Sequence, residues 1–417
     1  MSKIPGFPFS YGNDFEGERI RPDNLYVEFG GESSLMVEWL TTAGIEDIED
    51  GKIEIAGSDI NDLSNKAALP LAIVIEVAGN KMQPDYEPVL EKQIHRILNR
   101  IQGVMHTGQR DMACLRISKS IEKKGFTLRH IGVILCQKLH EDFERIIDKI
   151  QIKIYTEENS VTEILNEVKP VYTQRDARIE GMTDEEIDTF YSCTICQSFM
   201  PYHICTISPE RSSPCGSYNW IDCQASYSID PTGPNKPIIK DNPIDLRLGQ
   251  WQGVNDFIKK CSQGKTEYYN LYSIMDKPMP TCEWVECISV VLPLCNGIMI
   301  ADKDYTGMTP CGMDFKTIID NTKGELDTPG FMGHSRYNIT QRKYLSADGG
   351  IKRIVWMPKI LKREISNRFN TIAIEITVPD LMERIADEDT GTSEEEILPF
   401  LKAVNHPALS MNPLIQL

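Results

Sequence analysis

The sequence predicts a mixed α/β fold in two domains, and three observations lead to this prediction. Apolar, β-branched runs typical of buried strands alternate with helical periodicities through the first 180 residues, which is the pattern of an α/β layer domain. A polar stretch without an apolar period, residues 173–188, is then expected to be a linker. The chain beyond it is dense in Cys, Pro and Gly up to about residue 345, which favours loops over long regular elements. We therefore expect one domain at residues 1–180 and a second at residues 181–417.

Two kinds of apolar pattern define the elements of the first half. Short runs that are almost wholly apolar, or that alternate, predict strands, and apolar residues three or four positions apart predict helices. The predicted strands are residues 26–29, 71–77, 131–135 and 152–155, and the predicted helices are residues 90–100, 143–150 and 161–168.

Regular elements are also predicted toward the C-terminus. Residues 351–357 and 372–376 carry strand-like apolar runs. Thr392 and Ser393 precede three glutamates, and a hydroxyl cap followed by acids predicts the start of a helix.

The composition excludes several classes of function. The 417 residues are 41% hydrophobic and carry a formal net charge of −17. The chain therefore has material for real cores but no basic surface for nucleic acid or anionic membranes. The N-terminus has no apolar signal segment, and the longest apolar runs are too short to cross a bilayer. Twelve cysteines in such a chain indicate metal or thiol chemistry in a reducing cytoplasm rather than disulfides.

Four cysteines form the most informative motif, Cys193-x2-Cys196-x8-Cys205-x9-Cys215. A [4Fe-4S] cubane needs one thiolate for each iron, and a set of four with one short x2 spacing suits it. A zinc ion with four thiolates and a reduced structural set are the alternatives that the spacing alone leaves open.

The residues around this motif are more specific than its spacing. Residues 193–201 read Cys-Thr-Ile-Cys-Gln-Ser-Phe-Met-Pro, and residues 208–216 read Ser-Pro-Glu-Arg-Ser-Ser-Pro-Cys-Gly. These residues resemble acetyl-CoA synthase, the β subunit of the carbon monoxide dehydrogenase/acetyl-CoA synthase complex. With further matching segments, the resemblance extends over essentially the whole chain. The other matching segments are residues 15–21, 69–72, 105–111, 203–205, 219–220, 233–235, 295–299, 307–310, 346–350 and 354–359.

The resemblance implies a fold and a set of site residues. The two domains resemble the middle and C-terminal domains of that enzyme, in a short form like the archaeal one, without the N-terminal domain that docks the dehydrogenase. The family's active centre is a [4Fe-4S] cubane joined through one cysteine to a pair of nickel ions. The resemblance gives the cubane to Cys193, Cys205 and Cys215 and the bridging role to Cys196. Phe199 matches a phenylalanine that walls the proximal metal site.

One departure from the family pattern lies where the distal nickel is bound. The family has a Cys-Gly-Cys tripeptide there, and this chain has Cys282-Glu283-Trp284. The square-planar set of two thiolates and two backbone amides that suits Ni(II) loses one thiolate, and an indole nitrogen is a donor-only group. The standard dinickel unit is therefore not expected to assemble, and nickel is left open as a cofactor.

A different second metal site is the alternative at this position. Cys282 keeps its thiolate, and Glu283 and Cys287 offer a carboxylate and a further thiolate close by in the sequence. Trp284 is expected to fill space, so that its replacement leaves a void.

Further residues in or near these motifs have plainer interpretations. Free cysteines are often buried, so Cys295 and Cys311 are expected to pack in the interior. A role as ligand to a further group is the alternative for Cys311. His106 and His203 are expected to be hydrogen-bonded histidines. The resemblance makes coenzyme A a candidate ligand, and the arginines considered for its phosphates are Arg110, Arg116 and Arg129.

Three functions are compatible with these features. The favoured one is a diverged acetyl-CoA synthase-family protein of one-carbon metabolism that keeps the cubane. It exchanges methyl groups or electrons with a corrinoid iron–sulfur protein or a related corrinoid protein. The second is a genuine acetyl-CoA synthase that joins CO, a methyl group and coenzyme A at an altered metal site, and the third is a non-catalytic iron–sulfur scaffold or redox module. Because the resemblance does not extend to the docking domain, a stable carbon monoxide dehydrogenase complex is not expected.

Overall fold

The computed structural model describes residues 7–16, 18–31, 34–107, 113–198, 200–324 and 326–415. The chain divides into two compact units, Met1–Glu180 and Gly181–Leu417. The secondary structure is mixed α/β in both, so the predicted fold class is confirmed. Within the described residues, none of the helices has the length and apolar character that crossing a membrane requires.

The first unit contains two four-stranded sheets. In one sheet the strand order is β2-β5-β8-β3, with β2 parallel to β5 and β5 antiparallel to β8. In the other the order is β4-β1-β7-β6. The strands are β1 Leu25–Gly30, β2 Met36–Thr42, β3 Lys52–Ala56, β4 Ala67–Leu69, β5 Leu71–Ala78, β6 Val104–Thr107, β7 Cys114–Ser118 and β8 Lys149–Tyr155, and the helices are α1 Glu87–Leu98, α2 Lys119–Glu122, α3 Leu128–Phe143 and α4 Glu158–Ala177.

The core of the first unit lies between these sheets and helices α1 and α3. Strand β5 is buried on both faces apart from Glu76, as its continuous apolar run predicts. Helix α3 approaches β3 closely, since a Cβ on Gly132 would lie 2.7 Å from Cγ2 of Ile53. Helix α4 is fixed by Arg175, which is 5% exposed and ion-paired to Glu87 and Glu91 on α1.

Several predicted elements are wrong in type or extent. Residues 131–135, predicted as a strand, lie inside α3, and residues 372–376, also predicted as a strand, fall at the end of a helix that ends at Glu375. Short apolar runs do not by themselves distinguish a buried strand from a buried helix. Residues 143–150, predicted as a helix, are the end of α3, a turn and the start of β8. The expected linker at 173–188 begins as the last turn of α4.

The second unit is built on the four-stranded sheet β16-β14-β15-β17 and a three-stranded sheet β10-β9-β11. The predicted strand at residues 351–357 is shorter than expected, and the predicted helix after Ser393 is confirmed. The strands are β9 Thr189–Cys193, β10 Cys205–Ile207, β11 Pro237–Ile239, β12 Pro243–Asp245, β13 Gln250–Trp251, β14 Cys287–Leu292, β15 Gly297–Asp302, β16 Phe331–His334 and β17 Ile354–Trp356, and the helices are α5 Trp220–Ile229, α6 Gln252–Cys261, α7 Phe315–Thr322, α8 Arg336–Ile339, α9 Lys359–Glu375, α10 Leu381–Arg384 and α11 Glu394–Ala403.

The large sheet gives the second unit its rigid centre. All six residues of β15 are buried, and Trp356 on β17 is fully buried with its indole N–H donating to the carbonyl of Gly391 at 3.0 Å. The small sheet carries two of the four motif cysteines, and the loop before β14 carries Cys282. The candidate site is therefore held by two sheets of one unit.

Candidate metal centre

The small sheet places two of the motif cysteines side by side. Strands β9 and β10 are antiparallel, and their register pairs Cys193 with Cys205. Both thiols are buried. The end of β9 is held by the loop at residues 233–235, where the side chain of Asn235 donates to the carbonyl of Ser192 at 3.0 Å and Thr194 N–H donates to the carbonyl of Pro234 at 3.2 Å.

The other two cysteines come from a short 3-10 helix and a turn. Cys196 lies in the 3-10 helix Ile195–Ser198 and is half-buried. Cys215 lies in a turn whose Gly216 has a φ of +72°, and a Cβ there would meet the Glu286 carboxylate at 2.7 Å. Glu286 also donates its N–H to the carbonyl of Pro214 at 2.9 Å. The turn of Cys215 is thus packed directly on the residue that precedes β14.

A fifth thiol, that of Cys282, belongs to the same group. It is hydrogen-bonded to the thiol of Cys196, and this contact lowers the pKa of Cys196 and raises that of Cys282 well above the usual range. The pKa of Cys205 is also raised well above the usual range, first by burial and then by the charges of Cys193, Cys196 and Cys215. Mutual repulsion of this kind acts only between thiolates that lie near one another. The four motif cysteines and Cys282 therefore lie near enough to one another to interact electrostatically.

The arrangement does not match a site for a single metal ion. Within the described residues, no three Cys, His, Asp or Glu side chains are grouped as one ion would require. A cubane makes a different demand, because each thiolate binds a different iron and the sulfurs need not meet at one point. The thiols that raise the pKa of Cys205 are soft ligands of the kind that iron–sulfur clusters take.

Polar atoms without partners accompany the thiols. His203 is buried and its Nε2 lies 3.3 Å from Sγ of Cys205, while its Nδ1 has no hydrogen-bond partner among the described residues. Burial lowers the pKa of His203 to about 4, so the ring is neutral at pH 7. The expectation of a satisfied, hydrogen-bonded histidine is therefore met at Nε2 and not at Nδ1.

The segment that departs from the family motif has two buried and two exposed side chains. Cys282 and Val285 are buried, and Val285 packs so closely on β16 that a Cβ on Gly333 would lie 2.4 Å from its Cγ1. Glu283 is exposed and ion-paired to Lys323 at 3.4 Å. The Trp284 side chain is 57% exposed. The expectation that Trp284 fills internal space is therefore wrong, because the turn directs it to solvent.

Cys287 does not share the position of Cys282. It is the first residue of β14, and its thiol donates to Oδ2 of Asp302 at 3.2 Å. Asp302 is also bound by the guanidinium of Arg336 at 2.8 Å. The structure thus places the Cys287 thiol in a buried ion-pair network and the Glu283 carboxylate at the surface, and it brings neither to Cys282 among the contacts described. Phe199, the predicted wall of the proximal site, lies outside the described residues.

The remaining candidates occupy ordinary structural positions. Cys295 is buried, with its backbone N–H donating to the carboxylate of Glu394 at 3.1 Å. Cys311 is half-buried and lies 3.3 Å from the hydroxyl of Thr309. His106 lies in a chain of hydrogen bonds between Glu38 and His95, with Nε2 2.8 Å from Glu38.

The arginines considered for coenzyme A are accounted for in part. Arg116 forms an ion pair with Glu28, and Arg129 lies 3.4 Å from the carbonyl of Ile53. Arg110 lies outside the described residues. The contacts of the two described side chains do not indicate a phosphate site.

A buried acidic pair in the second unit was not predicted from the sequence. Asp184 and Glu210 each accept a hydrogen bond from the backbone N–H of the other at 3.0 Å, and the hydroxyl of Tyr272 donates to Asp184 at 2.5 Å. Burial raises the pKa of Glu210 to about 7. The only signal was that Glu210 and Arg211 fall within the segment 208–211 singled out for its resemblance.

Comparison with known proteins identifies the family. Residues 7–161 match the family described as the beta subunit of the CO dehydrogenase/acetyl-CoA synthase complex, and residues 172–415 match the family described as the C-terminal part of the ACS/CODH beta subunit. The chain belongs to the acetyl-CoA synthase β-subunit family. The resemblance seen in the sequence is thereby confirmed.

Relatives in this family are similar over nearly the whole chain. The carbon monoxide dehydrogenase/acetyl-CoA synthase subunit alpha of Moorella thermoacetica is 45% identical over 98% of this chain, which spans 56% of that relative's length. The acetyl-CoA decarbonylase/synthase complex subunit beta of Methanopyrus kandleri is 38% identical over 98% of this chain and 86% of its own. The solved C-terminal domain of an acetyl-coenzyme A synthase alpha subunit is 47% identical, covers 32% of this chain and 100% of its own, and superposes with a TM-score of 0.31.

Proposed function

We propose that this chain is a diverged acetyl-CoA synthase-family protein that holds one [4Fe-4S] cluster on Cys193, Cys196, Cys205 and Cys215. It acts in one-carbon metabolism by exchanging methyl groups or electrons with a corrinoid protein, without the standard dinickel unit. The single observation that carries the proposal is the electrostatic interaction of Cys205 with Cys193, Cys196 and Cys215. A cluster supplies an electron store beside the position where a corrinoid would be presented.

The side chains of this unit bind and orient such a group in definite ways. Strand pairing of Cys193 with Cys205 fixes their spacing, and the turn at Cys215 is held because the hydroxyl of Ser213 accepts the N–H of Tyr218 at 2.9 Å. His203 is neutral, and its Nε2 lies 3.3 Å from Sγ of Cys205. The tautomer with its proton on Nε2 would donate a hydrogen bond to a thiolate there. Hydrogen bonds to a cluster sulfur alter the reduction potential.

The loss of the tripeptide supports the absence of dinickel chemistry. A chelate at residues 282–284 needs the thiolate that Trp284 replaces, and the exposed indole offers no lone pair to a metal. Glu283 is engaged with Lys323 at the surface. The chain retains one soft ligand at this position, the thiol of Cys282.

A second candidate function is favoured by one contact. Because Cys196 and Cys282 are hydrogen-bonded, two thiols remain next to each other. Once deprotonated, they would suit a soft metal ion. An acetyl-CoA synthase acting at such an altered site would join CO, a methyl group and coenzyme A there. A non-catalytic iron–sulfur scaffold is the third candidate. Nickel content separates the second candidate from the others, and a change in the corrinoid's methylation or oxidation state separates the first from the third.

The proposed partner is a corrinoid iron–sulfur protein or a related corrinoid protein that binds transiently. Both relatives named above are subunits of complexes by their names, which supports a role with partners. A shuttling partner requires a small, polar interface with weak binding, and we propose no stable complex with a carbon monoxide dehydrogenase. Anaerobic pull-down with mass photometry tests both statements. A tight dehydrogenase complex without contact to a corrinoid protein would favour the second candidate.

Anaerobic reconstitution tests the cluster itself. The wild-type chain is expected to take up four irons, and Cys205→Ser is expected to lose most of the iron and the brown absorbance, because a hydroxyl is a poor substitute for a soft thiolate. Cys261→Ser is the matched control, since Cys261 is a half-buried thiol at the end of α6. Iron well below four per chain in the wild type, or equal loss in both variants, would contradict the proposal.

A further inference from the structure

Arg211 is a cation buried in the second unit. It closes the turn after β10, where the backbone N–H groups of Ser208 and Arg211 donate to each other's carbonyls at 2.9 and 3.1 Å. The residue is 4% exposed. One terminal nitrogen donates to the carbonyl of Leu271 at 3.0 Å, and the other lies 3.7 Å from Sδ of Met279. Nε has no hydrogen-bond partner in the part of the chain that the structure describes.

Within the described part of the chain, the Arg211 guanidinium has no carboxylate at ion-pair distance. The buried Arg175, by contrast, has two. A charge removed from water is strongly unfavourable unless it is compensated by an opposite charge. The groups whose ionised forms would act on Arg211 are Tyr269, Cys205, Tyr272 and Asp184. The ring of His334 is also nearby, because the charge of Arg211 adds to burial in lowering the pKa of that histidine.

Among these neighbours, the thiol of Cys205 is the one that a metal centre would make anionic. The two tyrosines keep their protons at pH 7, since burial raises the pKa of each. Asp184 is engaged with Tyr272 and with the backbone of Glu210, and burial raises its pKa. Met279, which the guanidinium contacts, lies three residues before Cys282. Arg211 thus sits between β10 and the segment that carries the fifth thiol.

We propose that Arg211 is the fixed counter-charge of the thiolate-bound metal centre and that it favours the centre's reduced form. This inference rests on the proposed [4Fe-4S] cluster. Reduction adds one electron from an external reductant to the cluster and makes no new bond. Arg211 keeps its proton in both states, so it acts as a positioning residue through charge alone. A unit charge at an effective dielectric constant of about 20 changes such an equilibrium by roughly tenfold or more at separations up to about 10 Å.

The test is an electron paramagnetic resonance titration of the reconstituted full-length chain with dithionite as reductant. Arg211→Met, which keeps length and removes charge, is expected to make the cluster about tenfold harder to reduce, a shift of about 59 mV to lower potential. Arg211→Lys keeps the charge and is expected to stay near the wild-type potential. Arg342→Met is the surface control, because the Arg342 side chain is 61% exposed and paired with Glu375.

The outcomes separate the role of the Arg211 charge from the presence of the cluster. An unchanged potential in Arg211→Met with four irons bound, or equal shifts in the Met and Lys variants, would overturn the role of the charge and leave the cluster in place. A wild-type chain that binds no iron would instead overturn the proposed function. If Arg211→Met alone fails to take up iron, the free energy of unfolding of its cluster-free form is measured by urea titration and compared with that of the cluster-free wild type. The variant is expected to be more stable than the cluster-free wild type, because an uncompensated buried cation is gone, and a loss of stability would contradict the inference.

Discussion

Restoring the family tripeptide with Glu283→Gly and Trp284→Cys is expected to be tolerated by the fold and to restore nickel binding. Trp284 is 57% exposed, so it buries less than half of a tryptophan's surface, on the order of 100 Å². At about 25 cal/mol per Å², that burial is worth about 2.5 kcal/mol, and cysteine recovers part of it. We therefore expect Trp284→Cys to lower the free energy of unfolding by about 1 to 2 kcal/mol, against about 3 to 5 for a fully buried tryptophan.

The glycine adds a smaller cost. Glu283 leaves only an exposed ion pair with Lys323, which contributes little, and the greater freedom of glycine in the unfolded chain costs about 0.4 to 1 kcal/mol. Urea unfolding of the metal-free single and double variants measures both effects, and mass spectrometry after anaerobic reconstitution measures nickel. A loss above about 3 kcal/mol for Trp284→Cys alone would show that the indole is packed in solution. A double variant that folds but takes up no nickel would refute the view that residues 283 and 284 prevent the chelate.

Two other perturbations test the electrostatics of the units. Arg175→Met leaves the carboxylates of Glu87 and Glu91 buried without their cation. It is therefore expected to lower the free energy of unfolding of the first unit by about 3 to 5 kcal/mol. Iron uptake by the second unit is expected to stay at the wild-type level. Burial raises the folded-state pKa of Glu210 to about 7 from its usual 4.5, so its contribution to stability is fully present below about pH 4.5 and is lost as the pH rises through about 7. This loss of stability with rising pH is on the order of 1 to 3 kcal/mol, and Glu210→Gln is expected to reduce it. The check is the urea midpoint of both proteins from pH 4.5 to 8. The same dependence on pH in wild type and variant would contradict the prediction.

The sequence carried enough information for the fold class and for many elements with clear periodicity. The strand at 71–77 is continuous, apolar and β-branched, and it is buried in the sheet as predicted. Residues 131–135 have the same kind of local pattern but lie in α3. Tertiary packing decides such cases, here through the close approach of Gly132 to Ile53, and no local pattern reveals that contact.

The sequence predicted those parts of the candidate site that depend on residue type and spacing. It did not predict the direction in which individual side chains point. Spacing and flanks pointed to the four motif cysteines, but the outward turn of Trp284 and the bond of Cys287 to Asp302 depend on backbone path. Arg211 was visible only as part of a matching segment. Its lack of a carboxylate partner among the described residues is a property of the packed interior.

The measurement that tests the central claim most directly is an anomalous-scattering map at the iron and nickel edges from crystals of the anaerobically purified chain. The account predicts one four-iron peak bounded by Cys193, Cys196, Cys205 and Cys215. It predicts no pair of nickel peaks beside Cys282, because Trp284 stands where the second thiolate of the chelate is needed. Two nickel peaks at Cys282, or an iron edge without signal among the four cysteines, would contradict it.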